Sequence, residues 1–147
     1  MFPRTLVIFS ALLFSTTALS AGQIIYPSGK YPDFPFSEAV AYNGVLYLSG
    51  EIGTDAEGKL TGGGIGPESR QTMENIKATL GRHDLTMQDI VKCTVFLADI
   101  SEWPLFNTVY AGYFEKGHYP ARSALAASGL ALGARVEVEC IAALNDK

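Results

Sequence analysis

The sequence has little of what metal and nucleic-acid chemistry needs. Among 147 residues there are two histidines and two cysteines. His83 and His118 stand apart from each other and from any Cys or acid at ligand spacing. No Cys-x-x-Cys pair occurs, so the usual zinc frameworks are excluded. Basic residues are few: 11 lysines and arginines against 15 aspartates and glutamates, for a net charge of −4. Nucleic-acid binders cluster Lys and Arg to displace counterions from phosphates, and no basic stripe is present here. The glycine run Gly62–Gly66 lacks a following Gly-Lys-Ser/Thr, and no strand leads into it. It reads as a flexible loop and not as a phosphate cradle. Leu48-Ser49-Gly50-Glu51-Ile52 is not the Gly-x-Ser-x-Gly elbow of a serine hydrolase. What is abundant is apolar: 48% of residues are hydrophobic and 18% charged, too apolar a balance for a disordered chain.

No apolar run reaches the roughly 20 residues that span a bilayer. The longest lies at the start, Leu6 to Phe14, preceded by Arg4 and followed by the small residues Ala18, Ser20 and Ala21. This order is that of a secretory signal peptide, with cleavage after Ser20 or Ala21. The expectation is therefore a leader over 1–20 and a single domain over 21–147. Its destination is the periplasm or the exterior, with no membrane association once the leader is gone. Losing Arg4 makes the chain one unit more acidic. Export makes a Cys93–Cys140 disulfide chemically possible, but both residues lie in apolar, strand-like runs where free thiols also pack as small core groups.

Asn43-Gly44 separates the apolar runs Ala39–Tyr42 and Val45–Ser49, a hairpin signal because both turn positions tolerate positive φ. Asp55–Gly66 reads as a loop, and Pro67 opens a helix carrying Met73, Ile76 and Leu80 on one stripe. Ile90–Ala98 is rich in β-branched residues and reads as a buried strand. Ser101–Lys116 reads as a second helix, with Phe106, Val109, Tyr110, Tyr113 and Phe114 on a wide apolar face and Gly117 as its stop. Arg122–Ala127 and Ala134–Leu144 complete the pattern as strands. The order is hairpin, helix, strand, helix, strand, strand. That is an α+β sandwich with both helices on one face of the sheet. The other face needs a cover, and association between copies of the chain supplies one.

Two polar residues stand out in the C-terminal half. Arg122 opens an apolar strand, where a guanidinium is either paired with an acid or poised for an anion. Glu137 alternates with Val136 and Val138, so it lies on the face opposite theirs. On a solvated face it is an ordinary surface acid; in a cleft between subunits it can act as a base.

At these residues the chain resembles the RidA/YjgF family of small enamine/imine deaminases. The resemblance runs from about Phe34 to Ala143. It is carried by Leu48-Ser49-Gly50, Arg70-Gln71-Thr72-Met73-Glu74-Asn75-Ile76-Lys77, Asp89-Ile90-Val91-Lys92-Cys93-Thr94-Val95-Phe96-Leu97, Phe106-Asn107, Tyr119-Pro120-Ala121-Arg122-Ser123 and Val136-Glu137-Val138-Glu139. Each is weak alone; their joint order is specific. The resemblance implies a chorismate-mutase-like α+β fold with a mixed sheet, a homotrimer with sites between subunits, and neither cofactor nor metal. It implies hydrolysis of reactive 2-imino and 2-enamino acids to 2-oxo acids and ammonia.

By the same resemblance, Arg122 holds the substrate carboxylate and Glu137 activates water. Ser49 and Asn107 line the cleft, and the backbone beside Arg122, at Ser123, helps fix the carboxylate. Two positions depart from the family pattern. Ala124 stands where many relatives have cysteine, and Phe36 where many have tyrosine, so each removes a polar group from the cleft. These losses leave an alternative: a non-catalytic trimer that binds a small carboxylate or metabolite.

Overall fold

The structure, a computed structural model, describes residues 22, 24–27 and 33–144. The expected leader over 1–20 lies outside the described residues. Strands β1 (Ala39–Tyr42) and β2 (Val45–Leu48) form the expected hairpin, with Asn43 at φ 49° and Gly44 at φ 74° in its turn. The short β3 (Glu51–Ile52) follows, then α1 (Ile65–Gly81), β4 (Ile90–Leu97), α2 (Trp103–Ala111), β5 (Ala121–Ala126) and β6 (Val136–Ala143). The sheet runs β1-β2-β6-β4-β5, with β3 also on β6. All pairings are antiparallel except β4 with β5, so the sheet is mixed.

Both helices pack on one sheet face, as expected. Met73, Ile76 and Leu80 of α1 and Phe106 and Tyr110 of α2 share one core with Leu46, Val95, Leu97, Val136, Val138 and Ala142. Glu74 and Lys77, off the α1 stripe, are exposed. Burial of these large side chains supplies the driving force, about 1.5–3 kcal/mol for each fully buried one.

Cys93 and Cys140, opposite each other on β4 and β6, are joined in a disulfide within this core. The alternative of two free thiols is thereby settled.

Three helix boundaries differ from the sequence expectation, one of them the start of α2, which begins at Trp103 and not Ser101 because Ile100–Glu102 forms a 3-10 turn. Helix α1 starts at Ile65, so Pro67 lies inside its first turn and not at its opening position. A proline is tolerated throughout that turn because its missing N–H has no intrahelical partner there. Helix α2 ends at Ala111, well before Lys116. Gly112 donates to Val109 O and Tyr113 to Tyr110 O, tightening the last turn. Phe114 is nevertheless buried, beyond the helix, while Val109 is only half-buried. Gly117 keeps its left-handed role, at φ 91°, in the turn after the helix.

One feature of the sheet has no counterpart in the hydrophobic pattern. Tyr47 pairs with Ile141 and Glu51 with Val138, four steps along one strand against three along the other. The extra residue is a β-bulge at Ser49-Gly50, which interrupts what would otherwise be one strand. Asn75 of α1 secures the far side, donating from Nδ2 to Ile52 O at 2.9 Å and Thr54 O at 3.0 Å. Glu68, buried in α1, accepts from the backbone N–H of Arg135 at 2.6 Å and of Val136 at 3.3 Å, so it caps the start of β6.

Candidate active site

Strand β5 is an edge strand and places Arg122 beside Cys93 in register. Cys93 is also opposite Cys140, so Arg122 shares the helix-facing side of the sheet. There its guanidinium lies over the Tyr110 ring, 4.5 Å from the centroid, and donates to Asn107 Oδ1 at 2.7 Å. Both partners are on α2, one turn apart. Arg122 is thus held by two cation–π contacts, the longer at 5.8 Å from the Phe106 ring, and one hydrogen bond, and its remaining N–H donors can reach an anion. Burial raises the Tyr110 phenol to about 12, against a smaller opposing pull from Arg122, so the ring stays neutral beneath the cation.

Ala124 follows on the same face, half-buried against the core. Ser123 is exposed on the opposite face, in register with Thr94.

Glu137 also lies on that opposite face. It pairs with Phe96 and Ile52 and alternates with the fully buried Val136 and Val138. It is half-buried at the wall of a cavity of about 720 Å³, shared with Phe34, Phe36, Ser49, Gly50 and Leu132. Burial, and then the neighbouring Glu139 carboxylate, push the Glu137 carboxyl above its ordinary value of 4.5. Such a shift is what a base needs to be effective nearer neutrality.

Ser49 lines this cavity, but its hydroxyl is committed: it donates to Ser37 O at 2.7 Å. Phe36 is half-exposed, with its ring 5.6 Å from that of Phe34. A second cavity, about 580 Å³ between α1 and α2, is lined by Arg70, Glu74, Lys77 and Tyr113 and holds none of the expected site residues.

The residues singled out in the sequence therefore fall into two groups. Arg122, Asn107 and Ala124 lie on the helix-bearing side of the sheet; Glu137 and Ser123 lie on the other, and Ser49 and Phe36 line the cavity at Glu137. Along the strands Arg122 and Glu137 are separated by three residue rows, roughly 10 Å, as well as by the sheet itself.

Sequence reasoning missed Tyr110 as the platform of Arg122, reading it only as part of an apolar face. It missed Gly50 and Leu132. Leu132 is 71% exposed with φ 57°, an unusual conformation for a leucine, and only its exposure beside Glu137 marks it out. It missed the buried carboxylates Glu38 and Glu51, which both accept from Thr79 Oγ1 at 3.3 Å, Glu38 also being paired with Arg82. Among the described residues no three His, Cys, Asp or Glu side chains form a metal-holding group.

A mixed six-stranded sheet with two helices on one face, bearing an arginine on its edge strand and a glutamate on its far face, is the α+β architecture of a small, well-defined class. The family profile described as Endoribonuclease L-PSP matches residues 31–144. The chain belongs to this RidA/YjgF/L-PSP family. The human protein named 2-iminobutanoate/2-iminopropanoate deaminase is 38% identical over 109 residues, 74% of this chain and 79% of that protein. Its bovine namesake is 40% identical over the same shares. Among solved structures, that of yeast YEO7 matches with a TM-score of 0.76 at 35% identity, covering 84% of this chain and 100% of that one. RidA from an Antarctic Psychrobacter matches with a TM-score of 0.71 at 32% identity, covering 76% and 90%.

Proposed function

We propose that the protein hydrolyses 2-imino and 2-enamino acids to 2-oxo acids and ammonia, at sites completed between copies of the chain in a homotrimer. The observation that carries this reading is the division of the site. One side of each chain offers a carboxylate clamp without a base, and the other offers a base without a clamp. A neighbouring copy that brings its edge strand β5 to the cavity of the first unites the two. The uncovered sheet face, with Tyr47 and Leu125 each more than 40% exposed, supplies apolar surface for that contact.

In the proposed reaction Arg122 grips the substrate carboxylate in two parallel hydrogen bonds, a geometry that a lysine cannot reproduce. Asn107 and Tyr110 hold the guanidinium so that the substrate arrives in one pose. Glu137 of the adjacent chain accepts a proton from water as its oxygen attacks the protonated imine carbon. The resulting carbinolamine takes that proton on nitrogen, and the C–N bond breaks as ammonia leaves while Glu137 removes the hydroxyl proton and the carbonyl forms; that proton then passes to the departing ammonia. Water attacks such imines unaided, so the gain comes largely from fixing its position. No cofactor or metal takes part in these steps. The alternative, a non-catalytic carboxylate-binding trimer, retains the Arg122 clamp but needs no Glu137. The family description includes endoribonuclease; the net charge of −4 favours the deaminase reading over an RNA-cleaving one.

The test is a coupled assay in which an amino-acid oxidase generates 2-iminobutanoate in the presence of semicarbazide. The wild type is expected to suppress semicarbazone formation and Arg122→Ala to lose that effect. If both are inert while the wild type still binds 2-oxobutanoate, the carboxylate-receptor alternative replaces the deaminase reading.

We also propose that the protein is exported. The leader pattern in residues 1–20 supports this, and so does the Cys93–Cys140 bridge, because disulfides persist mainly in oxidising compartments.

A further inference from the structure

We infer that Gly50 is a positioning residue for Glu137: the side chain missing at the β2–β3 bulge leaves the seat in which the Glu137 carboxylate lies. This inference rests on the deaminase reading for its consequence, but not for its geometry.

A Cβ placed on Gly50 would stand 2.1 Å from Glu137 Oε1, 2.9 Å from Cδ and 3.1 Å from Cγ. All three nearest atoms belong to that one side chain. The backbone does not need glycine here, since Gly50 is not among the positive-φ residues, unlike Gly44 or Gly58. The requirement at position 50 is therefore for space, and Glu137 fills the space.

Gly53, three residues on, makes the contrast. A Cβ there would meet the backbone carbonyl of Glu68 at 2.5 Å, an atom that cannot swing away. Gly53 is thus demanded by packing against α1, and Gly50 by a flexible acid on the cavity wall.

The bulge itself is held in place. Ser49 donates its backbone N–H to Glu38 O at 2.9 Å and its hydroxyl to Ser37 O at 2.7 Å. A bulge of this kind re-aims the chain locally. Here it brings bare backbone under a carboxylate that belongs to another strand, fixing where the base can stand.

The experiment uses the full mature chain with Gly50→Ala, Gly53→Ala, Glu137→Asp and the double variant Gly50→Ala/Glu137→Asp. Gly50→Ala is expected to keep the melting temperature and oligomeric size of the wild type. Its kcat should fall between about 10- and 100-fold with KM little changed, because a displaced base loses water positioning without touching the Arg122 clamp. Glu137→Asp should be impaired alone, yet the double variant should turn over faster than Gly50→Ala, since the shorter acid makes room for the methyl group.

A 13C titration of the Glu137 carboxyl decides the geometry independently of turnover. The groups facing it are Glu139 on the same strand and Glu38, Glu51 and Glu57 around the cavity. A carboxylate expelled toward solvent should titrate lower in Gly50→Ala than in the wild type. Wild-type kinetics and an unmoved Glu137 titration in Gly50→Ala would overturn the inference. So would a loss of melting temperature as large as that of Gly53→Ala, which would make Gly50 a folding residue. If the wild type shows no turnover at all, the deaminase reading fails, and the titration alone upholds or overturns the seat.

Discussion

At the scale of single residues, the acid proposed as the base, Glu137, sits where the fold makes its ionisation costly. Its carboxyl is raised in the folded chain by burial first and by Glu139 second. For an acid raised on folding, the folded state holds the proton more tightly than the unfolded state does. The cost of ionising it is therefore absent at pH values below the unfolded carboxylate range. It grows as pH rises and is complete above the raised folded value. Glu137→Gln should accordingly melt higher than the wild type at neutral pH, with the gap closing toward acid pH, while turnover is lost. Thermal melts across that range check this; a gap that does not depend on pH would show that Glu137 carries no such cost. Arg122 and Glu137 stood out in the sequence because a charge inside an apolar or alternating strand is conspicuous, but their spacing left a structural role open and only the family resemblance gave them proposed roles. Gly50 did not stand out, because a glycine whose φ any residue could adopt leaves no local trace of why it is there.

At the scale of elements, the sequence made most strands and helices readable, since β-branched runs and apolar stripes reflect burial directly. It failed where local bonding decides. The end of α2 depends on Gly112 and on shorter-range backbone bonds, whereas Phe114 continues the helical period beyond the helix. Strand β3 is only two residues long and exists because β6 and Asn75 hold it. The pairing of Cys93 with Cys140 was open in the sequence because partnership depends on register, and β4 against β6 supplies it. That bridge also bears on the export reading. The chain recovered from its own host should lack residues 1–20 or 1–21, and thiol titration after denaturation without reductant should find no free cysteine. Intact-mass measurement and thiol counting check both; a retained leader with two free thiols would overturn export.

At the scale of the whole molecule, the proposed trimer, with Arg122 and Glu137 on opposite faces of each sheet, makes a prediction that single-chain chemistry cannot. Arg122→Ala and Glu137→Gln are each expected to be inactive. Unfolded together and refolded as mixed oligomers, they should recover activity, because a Glu137→Gln chain still offers Arg122 and an Arg122→Ala chain still offers Glu137. Random mixing in a cyclic trimer gives about a quarter of the interfaces both intact groups. No recovery in verified mixed trimers would mean that each site lies within one chain. Apart from the family resemblance, the sequence pointed to this proposed arrangement only through the need to cover a sheet face. Which residues would meet across the interface depends on the order of strands in space, and no local pattern encodes that order.

The sheet order carries a further consequence, for the timing of folding. Among the described residues strand β6 follows every other strand, yet it lies between β2 and β4 and also receives β3. Until it emerges from the ribosome, the hairpin on one side and the β4–β5 pair on the other have no shared strand to join them. Cys93 likewise waits for Cys140. A nascent chain of this design cannot close its sheet until β6 has been made.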